Sequence, residues 1–145
     1  MITYNTEGVK MPRFKKREAT AWIKAVAATY GKKAGEIGYL FVDDEKMLEV
    51  NREYLQHDYY TDIITFDYSD DTLLTGRKDT ISGDLFISLD TVRTNAQQQG
   101  TTYEEELHRV IIHGILHLCG INDKGPGERE IMEAEENKAL KIYRL

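Results

Sequence analysis

The fold is decided by one stretch of the chain, Thr102-Tyr-Glu-Glu-Glu-Leu-His-Arg-Val-Ile-Ile-His113-Gly-Ile-Leu-His117-Leu-Cys-Gly120. Thr102 with Glu105 resembles a capping box, in which the hydroxyl and the carboxylate satisfy free amides at the start of a helix. We predict that this helix runs to about Leu118, because Gly120 then allows the chain to turn back sharply.

Strands and helices alternate along the rest of the chain. We predict strands over residues 2–7, 38–42, 61–66 and 79–88. We predict helices over 17–30, 90–98 and 128–140, and one more that begins after Asp43 or Asp44. The acidic stretch 69–78 is predicted to be a long hairpin loop. The expected fold class is α/β (α+β), a single domain over residues 1–145 with a mixed sheet packed with helices.

Length and composition are those of an ordinary globular domain. The 145 residues, 41% hydrophobic and 30% charged, are enough to bury a core. No apolar run approaches the roughly 20 residues that span a bilayer, and the N-terminus lacks the pattern of a signal peptide. The single cysteine, Cys119, excludes an internal disulfide framework. Together these features favour the cytoplasm and no membrane contact.

The charge is unevenly placed along this acidic chain, whose formal net charge is −6. Residues 1–40 hold eight Lys or Arg against three Asp or Glu, whereas the rest holds eleven against twenty-two. The positive charge is concentrated in a segment of five cations without an acid, called here the basic segment: Lys10, Arg13, Lys15, Lys16 and Arg17. It is either a solvated turn before a helix or a surface that contacts the phosphates of a nucleic acid.

The same central helix carries the pattern of a metal site in the C-terminal half. His113 and His117 are four residues apart, which places two imidazoles on one helix face, one turn apart. After the turn at Gly120, Asp123 can return to the same ion. Two imidazoles and one carboxylate are a common ligand set for catalytic zinc. The alternative is a buried, hydrogen-bonded histidine pair. His108 lies about 140° around the helix and is expected to be a solvated or structural histidine and not a ligand.

The residue after the first histidine is Gly114. Metalloproteases of the His-Glu-x-x-His type carry their general base there, so this chain must take its base from elsewhere or from the substrate. We expect the glycine to open space beside the metal for a group such as a phosphate. The expected catalytic residues are His113 and His117, acting through the ion, and a ribose 2′-hydroxyl is one candidate nucleophile.

Several blocks of the sequence resemble the YbeY endoribonuclease family. His113-Gly-Ile-Leu-His-Leu-Cys-Gly-Ile-Asn-Asp123 resembles its signature, usually His-Gly-x-Leu-His-Leu-x-Gly-Tyr-Asp-His. Asn51-Arg-Glu-Tyr54 and Thr61-Asp-Ile-Ile-Thr-Phe66 resemble its Leu-Asn-x-x-Tyr and Thr-Asp-Val-Leu-Ser-Phe blocks, and Gly83-Asp-Leu-Phe-Ile-Ser88 resembles its Gly-Asp-Ile-x-Ile-Ser strand. The blocks occur in the family's order and cover roughly residues 35–140.

The resemblance implies a mixed sheet with helices and one Zn²⁺ per chain held by His113, His117 and Asp123. It also implies cleavage of single-stranded RNA, maturation of the 3′ end of small-subunit (16S) ribosomal RNA, and ribosome quality control. The implied partners are a ribosomal RNA precursor and proteins of the small ribosomal subunit.

The chain departs from the family pattern at two positions. The family's third histidine falls on Asp123, which is also a competent zinc ligand. The arginine that follows the tyrosine of the Asn-x-x-Tyr block falls on Leu55, which cannot offer a positive charge to a phosphate. We expect Arg52 or the basic segment to take over that contact.

Three functions from different classes remain open on the sequence. The first is a metal-dependent endoribonuclease, a hydrolase of RNA phosphodiester bonds. The second is a zinc metallopeptidase, which the missing base at Gly114 disfavours. The third is a non-catalytic ribosome-assembly factor with a structural metal, although structural zinc sites usually have four protein ligands and the sequence offers only three good ones.

Overall fold

A computed structural model describes residues 1–55, 61–68 and 79–144. The predicted hairpin loop at 69–78 lies outside the described residues. Four strands are present in this part of the chain: β1 (Ile2–Thr6), β2 (Lys33–Val42), β3 (Ile63–Asp67) and β4 (Thr80–Ser88). It also contains five α-helices: α1 (Lys16–Thr29), α2 (Asp44–Val50), α3 (Leu89–Gln99), α4 (Tyr103–Leu118) and α5 (Glu128–Arg144). A π-helical turn, Asn51–Leu55, continues α2.

The strands form a mixed sheet in the order β1-β2-β4-β3. β2 pairs in parallel with both β1 and β4, whereas β3 pairs antiparallel with β4. The predicted α+β fold with a mixed sheet is confirmed. β2 begins at Lys33, earlier than predicted. The early residues were not recognised as a strand because the register of β2 with β4 shifts between Ala34 and Ile37. That irregularity breaks the alternation by which a strand is recognised in a sequence.

The two faces of the sheet bury different groups of side chains, because successive residues of a strand point to opposite faces. The larger core lies on the face that carries α1, α4 and α5, and it includes Tyr39, Phe41, Leu85 and Ile87. A smaller cluster on the other face joins Val42 and Ile64 to Met47 and Val50 of α2. No helix in the described ranges is long and apolar enough to cross a membrane.

The helix α4 begins and ends where its sequence predicts. The Thr102 hydroxyl accepts a hydrogen bond from the Glu105 amide at 3.1 Å, which satisfies one of the free amides of the first turn. The apolar side chains of α4 are buried in the larger core, and the Tyr39 hydroxyl donates to the carbonyl of Ile111 at 2.8 Å. Gly120 has φ = +101°, a value that favours glycine and turns the chain after the helix.

Candidate metal site

The predicted ligands line one pocket of about 250 Å³. His113 and His117 enter it from α4, and Asp123 comes from the loop that follows Gly120. The lining also includes Lys124, next to Asp123 in that loop, with Asn51 and the residues 61–65 at the start of β3. The pocket therefore lies where the end of α4 crosses the β3 edge of the sheet.

Within the pocket, His113 and Asp123 are in contact. The distance from His113 Nε2 to Asp123 Oδ2 is 3.3 Å. A tetrahedral zinc ion, with Zn–N and Zn–O bonds of about 2.0–2.2 Å, separates a nitrogen and an oxygen ligand by about 3.3–3.5 Å. The spacing and the chemistry of these two donors thus fit one zinc ion, and His117 lines the same pocket. In residues 1–55, 61–68 and 79–144, however, no three His, Cys, Asp or Glu side chains are arranged as a complete metal site.

The other ring nitrogen of His113 is bound to a carboxylate. His113 Nδ1 lies 2.6 Å from Glu136 Oε2 of α5. The second oxygen of Glu136 accepts a hydrogen bond from Arg109 Nη1 at 2.8 Å, and Arg109 Nη2 donates to Asn137 Oδ1 at 2.8 Å. A carboxylate–histidine pair of this kind is the usual outer support of a metal-binding imidazole.

The electrostatic surroundings of His113 are negative. Burial by itself lowers the pKa of the imidazole. The hydrogen bond and charge of Glu136, with the charges of Asp123 and Asp62, outweigh burial and raise the pKa of His113 above its ordinary value. The position therefore favours positive charge, whether a proton or a metal ion supplies it.

A second, larger cavity of about 780 Å³ adjoins the pocket, between α3, α4 and α5. The two cavities share Asp62, His113 and Asp123. Burial raises the pKa of the Asp62 carboxyl, which accepts a hydrogen bond from Asn95 at 3.4 Å. Glu106, on another wall, is 4% exposed, and its Oε1 has no hydrogen-bond partner in the described part of the chain. Burial, followed by the charge of Asp62, raises the pKa of Glu106 to about 7.

The expectation for Gly114 is wrong. This glycine is buried, and a Cβ built on it would lie 2.2 Å from Leu85 Cδ2 and 3.0 Å from Ile63 Cδ1. Gly114 therefore faces the sheet, where it lets α4 approach β3 and β4 closely, and it opens no space beside the predicted ligands. His108 lies away from the pocket, with its ring 5.8 Å from that of Trp22 and 4.6 Å from that of Tyr143.

The predicted RNA contacts lie outside the pocket. All five cations of the basic segment are exposed, as is Arg52. All six lie in the described part of the chain, and none of them lines the pocket. Phe14, within the segment, packs against Tyr4 of β1 and Phe41 of β2. β1 and β3 are opposite edges of the sheet, so the segment, which packs on β1 and β2, lies away from the pocket beside β3. Arg52 is nearer, because its neighbour Asn51 lines the pocket.

Three residues of the site were missed by the sequence analysis: Asp62, Arg109 and Glu136. Asp62 stands in the block Thr61-Asp-Ile-Ile-Thr-Phe66, so the resemblance contained a signal for it. Glu136 is one of many acidic residues on α5 and 23 residues from its partner His113, and no local pattern distinguishes it. Arg109 lies one turn before His113, and its part in the site is likewise evident only from its hydrogen bond to Glu136 of α5.

The fold and the site define an α+β domain with a histidine–carboxylate pocket at the end of its central helix. Residues 1–144 match the family model described as Endoribonuclease YbeY. The chain is 73% identical over 139 residues to the Endoribonuclease YbeY of Bacteroides thetaiotaomicron, covering 96% of each chain. It is 71% identical to that of Phocaeicola vulgatus over the full length of both. This chain belongs to the YbeY family.

The similarity extends to a solved structure. The solution structure of TM1509 from Thermotoga maritima matches with a TM-score of 0.62 and 23% sequence identity, covering 99% of this chain and 89% of that one. At this level of identity the likeness concerns the fold, and it agrees with the mixed sheet and helices described above.

Proposed function

We propose that this protein is a cytoplasmic, zinc-dependent endoribonuclease that cleaves single-stranded RNA. In this proposal it acts in the maturation of the 3′ end of 16S ribosomal RNA and in ribosome quality control, together with proteins of the small ribosomal subunit. The proposal rests on family membership and on the contact of 3.3 Å between His113 and Asp123 in the pocket that His117 also lines.

His113, His117 and Asp123 would hold one zinc ion. Bound there, the ion supplies a Lewis acid that polarises the scissile phosphate and stabilises charge in the transition state. The chain's own part is to present the ligands. Glu136 holds the His113 ring through Nδ1, so that Nε2 faces Asp123. The turn at Gly120 brings that carboxylate back to the end of α4.

The concave shape of the site supports single-strand specificity. The pocket and the adjoining cavity meet at Asp62, His113 and Asp123. A cleft of this kind can take a nucleotide that is splayed out of a single strand, whereas a base in a duplex would first have to be unpaired and unstacked. Acidic side chains line much of the cleft, and Arg109 on its wall is bound to Glu136. Lys124 and Arg129, which also line the cleft, are therefore proposed phosphate contacts, with Arg52 and the basic segment as further sources of positive charge.

The test compares RNA and protein substrates directly. We would incubate the protein with a single-stranded 16S fragment that carries an unprocessed 3′ end, with the same sequence as a duplex, and with casein. Each reaction is run with zinc, with chelator, and with chelator followed by added zinc. We expect cleavage of the single strand alone, abolished by chelator, restored by zinc and absent in His113→Ala/His117→Ala.

The other outcomes correspond to the competing functions. Zinc-dependent cleavage of casein without cleavage of RNA would identify a metallopeptidase. RNA binding without cleavage, together with a metal whose removal unfolds the protein, would identify an assembly factor with a structural metal. Elemental analysis completes the test, because full metal occupancy in the double-histidine variant would mean that the site lies elsewhere.

A further inference from the structure

Glu136 is a buried carboxylate on helix α5, with 8% of its surface exposed. A buried carboxylate is costly unless hydrogen bonds and an opposite charge compensate for the water that it loses. Each of its oxygens has a separate partner. Oε1 accepts from Arg109 at 2.8 Å, and Oε2 lies 2.6 Å from His113 Nδ1.

This arrangement determines where the proton of His113 resides. The guanidinium of Arg109 is always a donor, and an ionised carboxylate only accepts. The contact at Glu136 Oε2 therefore requires a proton on Nδ1 of His113. When the imidazole is neutral, Nε2 then carries the lone pair, and Nε2 is the atom that faces Asp123 at 3.3 Å.

We propose that Glu136, held by Arg109, is a positioning residue that keeps the proton of His113 on Nδ1 and the lone pair of Nε2 directed at the metal site. The inference rests on the proposed metal-dependent function. It assigns to α5 a role in that site that the helix sequence does not indicate.

The variant Glu136→Gln tests this inference, because an amide cannot accept hydrogen bonds on both sides. Arg109 can only donate, so it attracts the carbonyl oxygen of the glutamine and leaves the NH₂ group facing His113. The imidazole must then accept at Nδ1 and move its proton to Nε2, which blocks the ligand atom. We expect zinc affinity, measured by competition with a chromophoric chelator, to fall about 10- to 100-fold.

A second substitution should reverse this effect. In Arg109→Met/Glu136→Gln no guanidinium competes for the carbonyl, so the glutamine can turn it towards His113 and accept from Nδ1. We expect the zinc affinity of the double variant to rise most of the way back from the value of Glu136→Gln to that of the wild type. If the Arg109–Glu136 pair were purely structural, the double variant would bind zinc more weakly than Glu136→Gln, because removing both partners disturbs the packing of α4 on α5 further.

Glu135→Gln is the matched control. It removes one negative charge from the adjacent position of α5, where the carboxylate contacts Tyr30 and Lys138 instead of His113. We expect its zinc affinity to equal that of the wild type. Thermal unfolding in the presence of chelator shows for every variant whether the fold is retained.

The position of the proton can be measured without metal. We would record nitrogen-15 spectra of the histidine side chains in metal-free protein at about pH 9, where a free imidazole is neutral. We expect the Nδ1–H tautomer of His113 in the wild type and in the double variant, and the Nε2–H tautomer in Glu136→Gln. Unchanged tautomers, or equal zinc affinities of wild type and Glu136→Gln, would overturn the inference. A wild type with the expected tautomer but without zinc affinity would instead overturn the proposed function.

Discussion

Gly114 of α4 lies directly over Leu85 of β4, so closely that a Cβ on the glycine would be 2.2 Å from Leu85 Cδ2. Leu85 is fully buried and cannot swing into solvent. The glycine therefore sets the distance between the helix that carries both histidines and the sheet that forms the other wall of the site. Close packing of the core thus controls the geometry of the pocket.

We expect Gly114→Ala to destabilise the protein by about 1–2 kcal/mol. Overpacking a core costs about 1–3 kcal/mol, and the better helix propensity of alanine recovers up to about 1 kcal/mol. Denaturant unfolding measures the change. Leu85→Ala removes the methyl group with which the new Cβ would clash. In a double-mutant cycle, Gly114→Ala should therefore destabilise the Leu85→Ala protein less than it destabilises the wild type. Additive effects would mean that the two residues do not compete for the same space.

We expect Asp123→His to retain zinc and to shift the pH–activity profile towards acid. In the proposed site the aspartate would add a negative charge beside the ion, whereas a neutral imidazole would not, so the ion of the variant would be the stronger Lewis acid. Elemental analysis and RNA cleavage as a function of pH measure the two effects. Loss of metal from the variant would show that the two residues are not interchangeable as ligands in this chain.

Glu106 should make stability depend on pH. Its pKa is raised from 4.5 to about 7, first by burial and then by the charge of Asp62. Between about pH 4.5 and about pH 7 the folded protein retains a proton on Glu106 that the unfolded chain releases, so the free energy of unfolding falls as the pH rises. Glu106→Gln imitates the protonated form. We expect it to be more stable than the wild type at about pH 8 by on the order of 1–2 kcal/mol, less than the full pKa shift would give, because Glu106 lines a cavity open to screening by solvent.

The matched control for that experiment is Glu105→Gln. It removes an exposed carboxylate from the same first turn of α4, so any effect on the helix dipole is shared. Urea unfolding at about pH 5 and about pH 8 gives the comparison. A gain in stability that is equal at both pH values, or equal in the control, would contradict a buried carboxyl with a raised pKa.

RNA binding should depend on the basic segment, which lies across the sheet from the site. We expect Lys15→Glu/Lys16→Glu/Arg17→Glu to bind single-stranded RNA more weakly, with metal content unchanged. The slope of log affinity against log salt should become shallower by about 0.7 for each phosphate that the variant no longer neutralises. Arg52→Glu, nearer the pocket, is the comparison. If only Arg52→Glu has this effect, the segment is a solvated turn and phosphates bind near the π-helical turn.

The chain's local patterns were sufficient to predict the central helix and the meeting of His113, His117 and Asp123 in one pocket. The four-residue spacing of His113 and His117, the hydroxyl of Thr102 and the flexibility of Gly120 all act within a few residues of one another. These effects depend only on residues that are close in the sequence, so they can be predicted without knowing how the helices and strands pack.

Only the tertiary structure decided which group supports the His113 ring and which face of α4 meets the sheet. The partner of His113 is Glu136, 23 residues away on another helix, and the neighbour of Gly114 is Leu85 on β4. Both contacts depend on how separate elements pack, which no local spacing specifies. Packing also placed the basic segment at the opposite edge of the sheet, because Phe14 is anchored on β1 and β2 far from the pocket beside β3.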